Sequence, residues 1–385
     1  MHTFTNLITK ICRPFILFVT GIVMCINVHS QDIHFSQFLE DPLDLNPALC
    51  GAFPGLIMGE LNYRNQWSSV MNGLGDAYNT MAATFEYHNI MKNWTKGYVS
   101  PGINFFDDKS GDGQLQIAQV NFSLASGIYL NDKNCLAVGL QAGWAQHSID
   151  MANLTWDNQY IGGSYVPGAS SGEPAGSSFS YFDFAAGILY HFGTGQSTMT
   201  SNNQIKADIG AAVYHISEPE MSFYQGDNFL GNTNYYTVNG KNNENGVATR
   251  LYMKYVLNGD VTYSIPNSNI AVVPAVAFFD QGPAQELDMG AKFRYLLRME
   301  SKYTGVNKGS AFDLGGYYRW NDAFIILTGL EFGSYSLGLS YDVNISGLNQ
   351  ASNGRGAFEI SLRFINPNPF MGSTESGGSS TQSMF

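Results

Sequence analysis

Residues Ala357-Phe358-Glu359-Ile360-Ser361-Leu362-Arg363-Phe364 alternate in polarity without a break. One face carries Phe358, Ile360, Leu362 and Phe364, and the other carries Glu359, Ser361 and Arg363. A helix gathers side chains at spacings of three and four. A period of two that keeps both charges on one side therefore belongs to a strand. The same arrangement recurs upstream. Leu287, Met289, Ala291, Phe293 and Tyr295 oppose Asp288, Lys292 and Arg294, while Phe312, Leu314, Tyr318 and Trp320 oppose Asp313, Tyr317 and Arg319. Tyr335, Leu337, Leu339 and Tyr341 oppose Ser336, Ser340 and Asp342, and Ile205, Ala207, Ile209 and Val213 oppose Lys206 and Asp208.

From Leu56 onward the chain divides into about fourteen such segments, bounded by Gly, Asn, Asp, Ser or Pro. They fall near 56–66, 78–91, 97–106, 114–130, 133–148, 179–192, 204–218, 248–264, 268–280, 284–299, 309–320, 322–333, 334–343 and 356–365. A soluble sandwich accounts for one amphipathic strand as well as a barrel does. It accounts less well for fourteen whose apolar faces carry large aromatics near the strand ends, as interfacial girdles do. Composition agrees. Charged residues are only 13% and aromatics 14%, yet the mean hydropathy is −0.11, because apolar and polar residues alternate instead of massing. The expected fold is all-β: a single transmembrane antiparallel barrel over 56–365. An even strand count places the longest connections, 149–178 and 216–247, at the outer end, where membrane barrels keep long loops.

The N-terminal 1–30 read as a signal peptide. Lys10 and Arg13 precede the apolar run Phe15–Val28, and cleavage before Gln31 fits. Cys25 invites a lipoprotein reading, but Met24 stands where a small residue is wanted. After this segment no run reaches the 18 or so apolar residues of a spanning helix, so a membrane form has to be a closed barrel. Residues 31–55 hold Pro42, Pro47 and Pro54, too many for a strand, and read as an arm on the periplasmic side or in the lumen. Phe35, Phe38, Leu43 and Leu45 make that arm too apolar for a solvated linker, so they are assigned to a partner or to the lumen. Residues 366–385 read as a flexible polar tail.

A net charge of −12 with no basic cluster argues against nucleic acid. Cys50 and Cys135 have no spaced partner for zinc or redox work, although one disulfide between them is conceivable in an oxidising compartment. The stretch Asp108–Gly113 opens like an EF-hand loop, but Gln119 holds the position that needs a bidentate Glu, so a hairpin turn is the simpler reading. Gly168-Ala-Ser-Ser-Gly172 matches a nucleophile-elbow pattern without the strand and helix that the elbow requires. His147 and His215 fall at the outer rim and His191 at the other, too far apart to share a metal ion. No cofactor, metal or catalytic set is expected.

The arm and first strand carry a family likeness. Asp32-Ile33-His34-Phe35-Ser36-Gln37-Phe38, Pro42-Leu43, Leu45-Asn46-Pro47-Ala48 and Tyr63-Arg64-Asn65-Gln66-Trp67 resemble the PorP/SprF pattern. Gly111-Asp112-Gly113, Leu154–Tyr160 and Ser340–Ser346 extend the likeness across most of the chain. The resemblance implies an outer-membrane component of type IX secretion or gliding in Bacteroidota. It also implies partners: a secreted surface protein or adhesin with a C-terminal sorting domain, and periplasmic ring components.

Within the barrel, inward charges are expected at Arg64, Asp208, Asp288, Lys292, Arg294, Asp313, Arg319, Glu331, Asp342, Glu359 and Arg363. Arg64 needs a carboxylate or water there. Such a lumen could serve a substrate-specific porin or diffusion channel, the alternative to a secretion role, or be plugged by cross-paired charges and the arm. A new charge is expected to be costly at lipid-facing Ile360 and mild at lumen-facing Ser361.

Overall fold

A computed structural model describes residues 32–68, 77–91, 94–111, 113–166, 168–170, 177–194, 204–223, 249–298, 309–347 and 349–366. The signal segment, the tail beyond Asn366, Asp112, Ser171, Gly172 and most of the 216–247 connection lie outside these.

Fourteen antiparallel strands close into one barrel. They are β1 Ile57–Gln66, β2 Tyr78–Tyr87, β3 Gly97–Ser110, β4 Leu115–Asn131, β5 Asn134–Ser148, β6 Ser178–Gly193 and β7 Ile205–Tyr214. Then follow β8 Lys254–Ser264, β9 Ile270–Gln281, β10 Ala284–Arg298, β11 Ser310–Arg319, β12 Ala323–Phe332, β13 Tyr335–Asn344 and β14 Arg355–Asn366. Each strand pairs with its sequence neighbours, and β1 pairs with β14 from Ile57↔Asn366 to Gln66↔Ala357, so no edge is left open. The chain ends of the barrel share one rim. Ser148, Ser178, Tyr214 and Lys254, the strand ends that flank the two longest connections, lie at the opposite rim, called here the long-loop end.

The fourteen expected segments are these fourteen strands, with displaced ends where local backbone intervenes. Strand β7 stops at Tyr214 because His215 (φ 56°) and Glu218 (φ 42°) take the left-handed region. Strand β8 begins at Lys254, not 248, because Thr249–Arg250 pairs with Glu220–Met221 in a separate two-residue ladder. Strand β2 stops at Tyr87, short of left-handed Asn89 (φ 55°).

The alternation decides the faces. Leu140, Phe122 and Ile209 are 65%, 63% and 63% exposed, an apolar surface only lipid would cover. Aromatics edge it at both levels: Trp144, Phe182, Tyr255, Trp320 and Phe324 toward the long-loop end, and Tyr190, Tyr263, Tyr295, Phe332 and Tyr335 toward the chain-end rim. The buried residues lie inside the barrel. Phe38 and Leu45 of the arm pack with Ala212, Tyr214, Val256, Ala277, Tyr317 and Ile325. Cys50 and Cys135 are both buried and unpaired.

Candidate functional site

The arm runs the length of the lumen. At the long-loop end the Asp32 N–H donates to Gln281 Oε1 at 3.0 Å, and Gln281 Nε2 donates back to Asp32 Oδ1 at 3.1 Å. At the chain-end rim the Gly51 N–H donates to Glu86 at 2.6 Å, and the Leu56 N–H reaches Asn366 as β1 begins. Between these points the arm folds into short turns, Phe38–Glu40, Pro42–Leu45 and Pro47–Leu49, with Pro42 and Pro47 each at a first helical position, where a missing N–H costs nothing.

Four sets of contacts fix it. The outermost is a latch in which His215 Nε2 meets Asp32 Oδ2 at 2.6 Å and Nδ1 meets Asp183 Oδ2 at 2.8 Å, with Lys254 Nζ 3.6 Å from Asp32. Burial alone pushes the His215 imidazole down, but Asp32 and Asp183 outweigh it and raise its pKa to about 9. Burial likewise opposes ionisation of Asp32, and His215 with Lys254 overcomes it, holding that carboxyl well below its ordinary range.

Deeper, two arginines converge on Ser36. Arg64 Nη1 and Arg319 Nη2 donate to Ser36 Oγ at 2.7 and 3.0 Å, and that hydroxyl donates to Asp342 at 2.7 Å. Glu359 accepts from the Ser36 and Gln37 backbone N–H groups at 2.7 and 3.0 Å and is also paired with Arg64. Arg319 further contacts Glu286 at 3.3 Å and Asp288 at 3.2 Å. Glu40 then ties the arm to Arg363 at 2.9 Å and Lys292 at 3.3 Å, while Arg363 also meets Glu60 at 3.2 Å.

The last set is a seat of glycines. Asn46 Nδ2 donates to the Ile188 carbonyl at 3.0 Å and to Asn258 at 3.1 Å, while its Oδ1 accepts from the Ala48 N–H at 2.9 Å. A Cβ at Gly187 or Gly210 would strike the Asn46 amide, and one at Gly139 would strike the Pro47–Ala48 backbone. Adjacent strands β5, β6 and β7 lack side chains where the Asn46-Pro47-Ala48 turn sits.

The inward charges assigned from sequence are thus placed as follows. Arg64, Asp288, Asp313, Arg319, Asp342 and Glu359 are buried, while Asp208, Lys292, Arg294, Glu331 and Arg363 are half-buried, all on the lumen side of their strands. Asp208 pairs with His191 at 2.7 Å near the chain-end rim, away from the arm's latch. Arg294 pairs with Glu331, and Lys292 lies 3.8 Å from Asp313. Phe35, Phe38, Leu43 and Leu45 are buried at 6%, 4%, 0% and 3% exposure. Of the two destinations open to them, they occupy the lumen, and in this arrangement they present no face to a partner.

Ser361 faces inward, as expected. Its hydroxyl donates to Gln37 Oε1 at 3.1 Å under the arm, so a larger side chain there meets the arm first. The sequence marks His215 only as a rim residue. Its signal, a histidine just past a strand, carries no hint of Asp32, which is 183 residues away.

A family model described as type IX secretion system membrane protein PorP/SprF matches residues 27–364. No curated protein matches the chain. Similar solved structures include the CymD monoaromatic hydrocarbon channel, at 10% identity, TM-score 0.41, and coverage of 85% of this chain and 92% of that one. A Pseudomonas aeruginosa FadL homologue shares 10% identity at TM-score 0.41, covering 83% and 92%. CdiB from Acinetobacter baumannii shares 6% at TM-score 0.37, covering 80% of this chain, which spans 60% of CdiB's length.

Proposed function

The chain belongs to the PorP/SprF family of type IX secretion system membrane proteins, an outer-membrane barrel family and not an enzyme family, and from that premise we propose that it is a non-enzymatic holder or exporter of a type IX substrate. The substrate is a large surface protein or adhesin engaged through its C-terminal sorting domain. Periplasmic ring components meet the rim that carries the chain ends, and the long loops face outward.

The arm's occupancy of the lumen carries this reading. A diffusion channel needs an open bore, whereas here Ser36, Gln37, Glu40 and Asn46 are bonded to opposite walls of the barrel. A porin reading would gain support from steady large openings in a planar bilayer. The secretion reading expects a quiet barrel.

Phe35→Ala with Phe38→Ala tests the holder role. Phe38 rests on Tyr317 with ring centroids 4.9 Å apart, and Phe35 packs on Ala82 and Phe106, so the double change loosens the arm and leaves the strand ladder intact. The barrel is expected to stay heat-modifiable on gels while the cognate surface protein appears in the medium. Normal retention of that protein would overturn the proposal.

A further inference from the structure

The arm's turn at Asp41–Leu45 lies over strands β1 to β3, and oxygens gather there without donors. Asn104 Nδ2 donates to Asp44 Oδ1 at 2.7 Å, and Asn62 Nδ2 donates to the Glu40 carbonyl at 2.9 Å, which fixes the turn above these strands. Thr84 stands on the lumen face of β2 between its cross-strand partners, Glu60 on β1 and Asn104 on β3. Glu60 and Glu86 are close enough to repel the Asp41 carboxylate. Five buried oxygens of this patch have no hydrogen-bond partner: both of Asp41, Asp44 Oδ2, Asn104 Oδ1 and Thr84 Oγ1. Arg363 is committed to Glu40 and Glu60, and among the described residues no salt bridge reaches Asp41 or Asp44. Buried like charges are costly, and buried polar atoms are seldom left unpaired. The two neutral residues are the telling ones. Thr84 and Asn104 are 5% and 1% exposed, lie beside the two carboxylates, and still keep an oxygen without a partner. A proton answers one or two such oxygens, whereas one cation answers carboxylate, amide and hydroxyl oxygens together.

We propose that a calcium ion binds between the arm and strands β2 and β3, with Asp41, Asp44, Thr84 and Asn104 supplying its oxygens, and so pins the turn to the barrel wall. Two carboxylates balance the two charges of the ion. Among the described residues no three acidic, histidine or cysteine side chains converge into a cage of their own, which leaves out metals that want several such ligands. Two carboxylates with an amide and a hydroxyl oxygen suit a hard cation. Calcium takes about six to eight oxygens, and five are free here before any water is added. Magnesium keeps several waters, which a site shut off from solvent does not provide. No spacing in the sequence announces this set, because its ligands come from three segments that only the closed barrel brings together. The site concerns how the arm is held and does not depend on the secretion reading.

The test is equilibrium dialysis of the purified, chelator-treated full-length barrel against radiolabelled calcium, with proteolysis of the arm followed in parallel. One ion per barrel is expected at saturation, with magnesium a poor competitor, and calcium should slow cleavage of the arm. Thr84→Val keeps every charge and nearly the same volume, and should weaken binding about tenfold or more, as loss of even a supporting group does at a metal site. Asp41→Asn should abolish binding. Glu220→Gln, an exposed acid of the rim ladder, should leave it unchanged. Should Asp41→Asn not assemble, Thr84→Val carries the assignment alone, and if neither assembles, calcium-dependent protection of the arm in the parent decides. No saturable binding overturns the site, as does binding that Thr84→Val and Asp41→Asn leave unchanged. An arm that acid protects and calcium does not would assign the cluster to protons and overturn it equally.

Discussion

Arg64 and Glu359 stand directly opposite each other across the β1–β14 seam, and their buried side chains form an ion pair at the point where the barrel closes. Glu359 also holds two arm amides and Arg64 holds Ser36, so one pair fastens both seam and plug. Arg64→Met removes the cation and leaves Glu359 and Asp342 buried. The expected loss is roughly 3–5 kcal/mol, because an uncompensated buried charge remains. Urea titration of the folded, heat-modifiable band should show it. Adding Glu359→Met to that variant should recover part of the loss, and a double variant as weak as the single would contradict the pairing.

The lipid face gives a second expectation. Ile360→Lys, on the outward face at mid-strand of β14, should cost about 2–4 kcal/mol and impair assembly. At Ser361 a lysine should instead dislodge the arm, because Gln37 lies on that hydroxyl, whereas Ser361→Ala should be near neutral. Protease sensitivity of the arm in otherwise assembled barrels separates these outcomes.

The glycine seat is also open to test. Gly187→Val places side-chain carbons where the Asn46 amide lies, so the arm should leave its seat while the β5–β6 ladder persists. The barrel should then conduct in a planar bilayer where the parent is quiet. A quiet Gly187→Val barrel with a protected arm would show that the seat tolerates the side chain.

The latch predicts a dependence on pH. The folded pKa of His215, about 9, lies above its ordinary 6.5, so its stabilisation is fully present below about 6.5 and is lost as pH rises through about 9. The Asp32 pKa is depressed, so its contribution is present above the usual carboxyl value and is lost only in acid. Lys254 and Asp183 are the other charged groups at the latch. Thiol labelling at an Ile33→Cys position should therefore be slow near neutrality and accelerate above about pH 9. His215→Gln should label quickly at both values. A parent protein whose labelling is flat across that range, after correction for thiolate content, would contradict the latch.

The sequence by itself determined the barrel. Alternation is a local property, written in each strand by the pleat, and Phe358–Phe364 declares its faces without reference to any other segment. The number of strands and the aromatic girdles follow from summing such local patterns. Where a strand is shorter than its alternating segment, as at Tyr214 and Lys254, left-handed residues or a rim ladder end it without changing the polarity pattern. The arm was legible only as something that had to be buried. Its prolines give no period, and its bonds join residues hundreds of positions apart, as when the Ser36 N–H meets Glu359 across 323 residues. Only the tertiary structure decided that Phe35, Phe38, Leu43 and Leu45 lie inside the barrel, that His215 latches Asp32, and that bare glycines on β5, β6 and β7 seat Asn46. Those facts depend on which strands the closed wall brings around one short segment, and no local pattern encodes that.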